Sequence, residues 1–207
     1  MGTLATAVER NGGRRIGSMS GRVNSSGQPI GPPVDLDLPL AAPPTTPMLG
    51  QFGAVVPLDP DRHTAALFDA FEGDDDEDWT YLSYGPFPDV DAFGQWLDVC
   101  ARSSDTLFFA VEDGDGPCGM AAYLRVQPWS ASIEVGHLHF ARRLQRTAAA
   151  TEAMWAMMHR AFGAGYRRYE WKCDALNAPS RAAAERLGFR FEGVFRQATI
   201  YKGRNRD

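Results

Sequence analysis

The sequence predicts a mixed α/β (α+β) domain, a central and largely antiparallel sheet flanked by helices. Two patterns predict it. Three strand-like segments follow one another at 106–113, 118–127 and 132–140, with the turn residues GDGP and PWSA between them, which describes an antiparallel meander. After them helix and strand alternate: a helix over 147–163, a strand at 166–173, a helix over 178–187 and a strand at 189–197, an order that lays helices on the faces of a sheet. A chain of 207 residues holds one such domain with a sizeable core.

From the amino end, MGTLATAVERNGGRRIGSMS lacks an apolar stretch long enough for a signal peptide, and no run of about 18 apolar residues occurs anywhere, so no membrane partner is expected. Met19 is an alternative start, because nothing before it carries a structural pattern. Residues 24–48 are rich in Pro, Gly and Ser, a composition that favours extended chain. The expected organisation is a flexible arm over 1–50, either wandering or laid along the surface, and a folded domain over 51–207.

The folded part begins with a short strand in FGAVVPL at 52–58 and a helix over 59–72 with Ala66, Leu67, Ala70 and Phe71 on one face. The acidic block GDDDED at 73–78 reads as a solvated loop or as a rim that attracts a cationic acceptor. The aromatic segment DWTYLSYGPFP at 78–88 either walls a substrate or plugs a core. A helix over 89–102 follows, with Val90, Phe93, Trp96, Leu97 and Cys100 at helical spacing.

Composition narrows the function. A net charge of -5 argues against general nucleic-acid binding, which needs an excess of Lys and Arg to neutralise phosphates. The three cysteines, Cys100, Cys118 and Cys173, form no CxxC pair, so no metal site and no disulfide framework is expected and a reducing cytoplasm fits. Any phosphate site must be local, and one place stands out. Arg142, Arg143, Gln145 and Arg146 crowd the start of the helix over 147–163, where the macrodipole is already positive and cations are unfavourable. An anion is expected there. The free amides of a first helical turn cradle phosphate, and small residues at Ala148, Ala149 and Ala150 let a ligand approach the backbone. The body of that helix is explained by packing of Met154, Trp155, Met158, Ala161 and Phe162.

On these residues the chain resembles the GNAT superfamily of acetyl-CoA-dependent N-acetyltransferases, and within it the ribosomal-protein alanine N-acetyltransferase branch. Gln145-Arg146-Thr147-Ala148-Ala149-Ala150 resembles the family's pyrophosphate loop, with Ala148 in place of its central glycine. Ala150-Thr151-Glu152-Ala153 looks like the ATEA of that branch, and Glu134-Val135-Gly136 like the ExG of the family's fourth strand. Asn177, Ser180 and Leu187-Gly188-Phe189 match its second signature. The resemblance spans about 51–207.

The resemblance implies acetyl-CoA as cosubstrate, held by Leu138, Phe140, Arg142, Gln145, Arg146, Thr147, Ala148, Ala149, Ala150 and Asn177. It implies direct transfer in a ternary complex to an amine, on a peptide N-terminus or a small molecule. Glu134 is the first candidate for the base, acting directly or through water, and Glu170 the second. Ser180 is placed as a proton donor to the departing thiolate. Each has a plainer reading beside it: Asn177 as a helix cap, Ser180 as a solvated first-turn serine, and Gly188 as a helix stop. Strand alternation puts Glu134, Gly136, Leu138 and Phe140 on one face and Ile133, Val135, His137 and His139 on the other, so His137 reads as a core or half-buried structural histidine, with a catalytic role as the alternative.

The chain ends at YKGRNRD, whereas members of the family continue into a strand lying between their fifth and sixth. The expected sheet therefore lacks its last strand, leaving edges at 169–173 and 189–196 that invite strand donation by a second copy, hence a homodimer. Lys202, Arg204 and Arg206 are read as a solvated tail. A catalytically degenerate acyl-CoA-binding module is the alternative reading, favoured by Ala148 and the missing strand.

Overall fold

The computed structural model describes residues 2–7, 22–72 and 76–207. Its elements run β1 (Gly2–Ala7), β2 (Met48–Leu49), β3 (Ala54–Pro57), α1 (Pro60–Phe71), α2 (Asp76–Trp79), α3 (Val90–Ala101), β4 (Leu107–Asp113), β5 (Gly116–Gln127), β6 (Ser132–Phe140), α4 (Ala148–Gly163), β7 (Arg168–Asp174), α5 (Ala178–Arg186), β8 (Arg190–Val194), β9 (Thr199–Tyr201) and β10 (Arg204–Arg206).

Each long helix begins where a side chain can replace the missing intrahelical acceptor. Asp59 caps α1 by accepting from the Asp61 amide, Asp89 caps α3 by accepting from Ala92, and Thr147 caps α4 by accepting from Ala150. The apolar spacing then selects the buried stripe. His63, Leu67 and Phe71 go inward from α1, and Phe93, Leu97 and Cys100 from α3. Leu67 and Leu97 are fully buried, each worth roughly 2 kcal/mol of apolar transfer. On α4 the inward stripe is Ala150, Ala153, Met154, Met157 and Ala161, rotated from the expected one. Trp155 is 58% exposed and stacks on His159, one turn along the same outer face.

The strands form one sheet in the order β2-β3-β4-β5-β6-β7-β1-β8, and β9 and β10 form a separate hairpin. The pairs of the large sheet are antiparallel except β6 with β7. One face carries α1 and α3, whose Phe71 and Phe93 meet edge to face at 6.1 Å. The other carries α4, where the Tyr123 hydroxyl of β5 donates to the Met157 carbonyl at 2.5 Å, and α5, which packs on β7 and β8.

The carboxyl end of the chain supplies no strand between β7 and β8, and the amino end does. β1 lies between them, antiparallel to both, so the edges expected to be open are paired within the chain. Residues 2–7, ahead of Met19, thus carry structure that the sequence did not announce. Residues 40–49 lie along the domain surface. Arg160 donates to the carbonyls of Pro44, Thr46 and Pro47, the Tyr166 hydroxyl donates to Ala41 at 3.0 Å, and Met48 pairs with Val55. Glu152, the acid of ATEA, ties down the turn that follows by accepting from the amides of Gln51 and Phe52, both at 2.7 Å. Those two bonds hold its carboxyl below its usual range.

The acidic and aromatic segments also resolve. Residues 73–75 of the acidic block lie outside the described residues. Trp79 is buried, stacked on His139 at 4.0 Å, and Tyr84 and Phe87 pack on Trp96, so the aromatic segment plugs the core on the α1/α3 face. The final residues are not a free tail. Lys202 donates to the Trp79 carbonyl at 2.8 Å, Tyr201 to Asp174 at 2.9 Å, and the Arg206 guanidinium lies over the Tyr201 ring at 5.7 Å.

Candidate active site at a fork between parallel strands

β6 and β7 run side by side from the pair Ser132 and Arg168 to the pair Val135 and Trp171, where their pairing stops. Past that point, among the described residues, each strand's backbone pairs with its outer neighbour. His139 and Phe140 of β6 pair with Met120 and Gly119 of β5, and Lys172, Cys173 and Asp174 of β7 pair with Leu4, Thr3 and Gly2 of β1. The strands therefore part into a fork whose inner edges offer backbone groups to a ligand. It opens at the carboxyl ends of the parallel strands, and a helix begins beyond each arm: α4 beyond β6, α5 beyond β7. Ligand crevices in α/β sheets form at such ends.

Glu134 lies one residue before the fork. It is 3% exposed, a costly place for a carboxylate unless paired. Arg125 donates to one of its oxygens at 2.5 Å and Lys172 to the other at 2.6 Å. The same Lys172 ammonium reaches Glu170 at 2.6 Å, and Arg168 binds the second Glu170 oxygen at 2.5 Å. Burial pushes the Glu170 carboxyl up, but the bonds from Lys172 and Arg168 outweigh it and hold the group below its usual range. The two candidate bases are thus joined by one lysine, which bridges the strands where they separate. Alternation on β7, which puts Glu170 and Lys172 on one face, was the available signal for that bridge.

Ser180 stands on the opposite side of β7. Trp171, the last β7 residue paired with β6, points toward α5 and donates its indole N–H to the Ser180 hydroxyl at 3.0 Å. Asn177 caps α5 by accepting from the Ser180 amide at 3.0 Å, with Pro179 in the first turn. The cap is the one the sequence suggests, whereas the bond from Trp171 is not legible there, since the partner of Ser180 is an indole one strand away.

The loop from β6 to α4 departs from the expected cluster of free cations. Arg142 pairs with Asp78 at 3.2 Å, and Arg143 holds both oxygens of Asp113, at 2.5 and 2.6 Å. Gln145 donates to the Phe140 carbonyl at 2.8 Å, closing the loop on the strand. Arg146 is exposed, with φ 62, a left-handed turn that sets the direction into α4. Ala148 opens the helix and Ala149 follows, their amides without intrahelical acceptors; a helical Ala148 needs no glycine, so its methyl creates no backbone strain. Leu138 and Phe140 pack partly buried against the core.

His137 corrects the strand alternation. It adopts φ 51, and the pairing of β6 with β5 shifts between Gly136 and His139. The extra residue turns both histidines to the α1/α3 face. There His137 meets Tyr84 and Phe108, and His139 meets Phe71 and Trp79. Burial, with Arg125 nearby, pushes the His137 imidazole down to about 4. It is neutral at pH 7 and a weak base, as a structural histidine would be.

Among the described residues no group of three or more His, Cys, Asp or Glu could hold a metal ion, and no helix is long and apolar enough to cross a membrane. No curated protein matches the chain. Solved structures do. A probable GNAT-family acetyltransferase from Chromobacterium violaceum is 44% identical over 86% of this chain and 92% of its own, with a TM-score of 0.78. A GCN5-related N-acetyltransferase from Brucella melitensis is 41% identical over 81% of this chain and 78% of its own, with a TM-score of 0.79. An acetyltransferase from Salmonella typhimurium, which modifies the N-terminal serine of ribosomal protein L7/L12, is 16% identical over 77% of this chain and 94% of its own, and its TM-score of 0.66 speaks for the fold alone. The model of the acetyltransferase (GNAT) domain matches residues 55–190, a stretch that begins in β3 and takes in the whole fork, and this chain belongs to that family.

Proposed function

We propose that the chain transfers acetyl from acetyl-CoA to a primary amine, the α-amino group of a peptide or of a small molecule, by direct transfer in a ternary complex. The carrying observation is the fork itself, with a buried glutamate on one face, a serine hydroxyl on the other and, at the end of one arm, the first two amides of α4, which have no intrahelical acceptor. The residues fit the cofactor. The amides of Ala148 and Ala149, with Arg146 and Thr147 beside them, suit a pyrophosphate, while Gln145 and Arg142 shape the loop. The parted edges at Leu138 and Phe140 suit an extended amide-bearing arm, with Asn177 at the start of α5 on the far side. Acetyl-CoA brings an acetyl thioester, whose sulfur leaves with its electron pair as the amine nitrogen bonds the carbonyl carbon.

The chain's own residues supply position and polarity. Backbone amides on the open β6 edge polarise the carbonyl. A free α-amine, with a pKa of about 7.7 to 8.0, needs little help to lose its proton. Because Arg125 and Lys172 occupy both oxygens of Glu134, that carboxylate takes the proton through water, with Glu170 extending the same network. Ser180 donates toward the departing sulfur.

Thiol release from acetyl-CoA in the presence of a short peptide beginning with serine tests the reading. Glu134→Gln should lower kcat by about 100-fold, the lower end of general-base effects because the amine is weakly basic, and leave acetyl-CoA affinity unchanged. An unchanged kcat would remove Glu134 from the chemistry. The double engagement of Glu134 favours one other reading, a binding module without turnover. Tight acetyl-CoA binding with no thiol release across a panel of amines would establish it.

A further inference from the structure

Trp171 is the residue through which the fork and α5 are connected. It is the last β7 residue paired with β6, it is 5% exposed, and its ring packs edge on against Phe189 at 5.5 Å. An indole nitrogen is a donor only. Buried, it needs an acceptor, and the acceptor it has is the Ser180 hydroxyl at 3.0 Å. The Ser180 amide is meanwhile bound to Asn177. A serine hydroxyl that accepts from a fixed N–H has one lone pair engaged and its own hydrogen turned elsewhere. Burial pushes the Cys173 thiol on β7 up, and the Ser180 hydroxyl pulls it back down.

We propose that Trp171 is a positioning residue for acetyl transfer: by donating to Ser180 at the apex of the fork, it orients the serine hydroxyl as a hydrogen-bond donor to the sulfur of coenzyme A. This rests on the acetyl-transfer reading above. The indole fixes the oxygen in place, and polarisation along a chain of two hydrogen bonds makes the hydroxyl a better donor to an anionic sulfur than to a neutral one. The bond strengthens as the carbon–sulfur bond breaks and charge gathers on sulfur, which is the condition for it to lower a barrier. The ionisable groups acting on this spot are Cys173 and Asp174 on β7, Arg181 on α5 and Arg206 on β10. The bases Glu134 and Glu170 lie across the sheet from it.

A hydrogen bond to the thiolate lowers the pKa of the bound thiol, and linkage then makes coenzyme A bind more tightly as pH rises, whereas acetyl-CoA, which has no thiol, is the internal control. The experiment is calorimetric titration of the full chain with coenzyme A and with acetyl-CoA at pH 6.5 and pH 9.0. For a free thiol near pKa 8.5, a bound value one unit lower raises the affinity ratio of coenzyme A to acetyl-CoA by roughly sevenfold across that range. In Trp171→Phe, which keeps an aromatic ring and removes the N–H, the ratio should stay within about twofold, as it should in Ser180→Ala. A ratio that rises equally in wild type and in folded Trp171→Phe overturns the proposal, and so does a ratio that is flat in wild type. Failure of the wild-type chain to bind either ligand is a different result, because it rejects the acetyl-transfer reading itself.

Wild-type protein labelled with nitrogen-15 gives a measurement that does not depend on the variant's folding. The indole resonance that shifts in Ser180→Ala belongs to Trp171. It should move on adding coenzyme A at pH 9.0 and move far less with acetyl-CoA. An indole signal insensitive to both ligands contradicts the proposal.

Discussion

The two helices that begin at the carboxyl ends of the parallel strands start alike and end up with different work. α4 and α5 each carry a capping side chain, Thr147 and Asn177, that accepts from the amide three residues on. Around α4 the surroundings are cationic, with Arg142 and Arg143 neutralised by Asp78 and Asp113 and Arg146 left exposed. Around α5 the first turn is joined by its own hydroxyl to an indole at the fork. In the proposed reading the same local device serves an anion at one arm and a sulfur at the other, and the difference lies in which long-range partners each helix start meets.

The largest expected effect comes from placing a carboxylate at each helix start in turn. Ala148→Glu puts a negative charge where the pyrophosphate is proposed to sit. Like charges at about 4 Å with an effective dielectric near 20 repel by about 4 kcal/mol, so acetyl-CoA affinity should fall by at least about 100-fold. The same change should raise thermal stability slightly, since an acid favours a helix N-terminus. Ala178→Glu at the start of α5 should leave affinity within a few-fold. Equal losses at both helices would erase the distinction between them, and calorimetry with a melting curve on each variant reads both quantities.

His137, on the face away from both helices, supplies the pH control. Its imidazole lies at about 4 in the fold against 6.5 when exposed, so the unfolded chain binds the extra proton between those values. Stability is therefore full above pH 6.5 and falls as pH drops toward 4, by about 3 kcal/mol in total. His63, also pushed down by burial, acts in the same direction. Urea unfolding of wild type and His137→Gln at pH 7 and pH 4.5 should show a shallower loss in the variant. Parallel losses would mean that His137 is protonated in the fold.

The smallest effects separate capping from binding. Thr147→Ala and Asn177→Ala should each cost about 1 kcal/mol of stability, the usual worth of a cap. The loss of acetyl-CoA affinity should be greater for Thr147→Ala. A larger loss for Asn177→Ala would move the weight of cofactor contact to α5.

Much of this was legible in the sequence because its causes are local. The meander from β4 to β6, the cap at Asn177 and the cluster before α4 are all written within a few residues of where they act. What was hidden depends on distance or on a single backbone turn. β1 is a six-residue strand whose partners lie more than 160 residues further on, so neither period nor length marks it. The positive φ at His137 reverses the faces of a strand whose alternation reads cleanly. Arg142 and Arg143 looked unneutralised only because Asp78 and Asp113 are remote in sequence. Lys172 bridging two glutamates, and Trp171 holding Ser180, needed the parallel register of β6 and β7 before they could be seen.

The most direct test of the central claim, that the fork and the start of α4 hold acetyl-CoA, is its calorimetric titration into the full chain and into Arg146→Glu, with circular dichroism confirming that both are folded. The account predicts saturable binding to the wild type and at least about a tenfold loss in the variant, the cost of replacing a charge-assisted contact with a repulsive one. Equal affinity in both proteins, or no binding to a folded wild type, would contradict it.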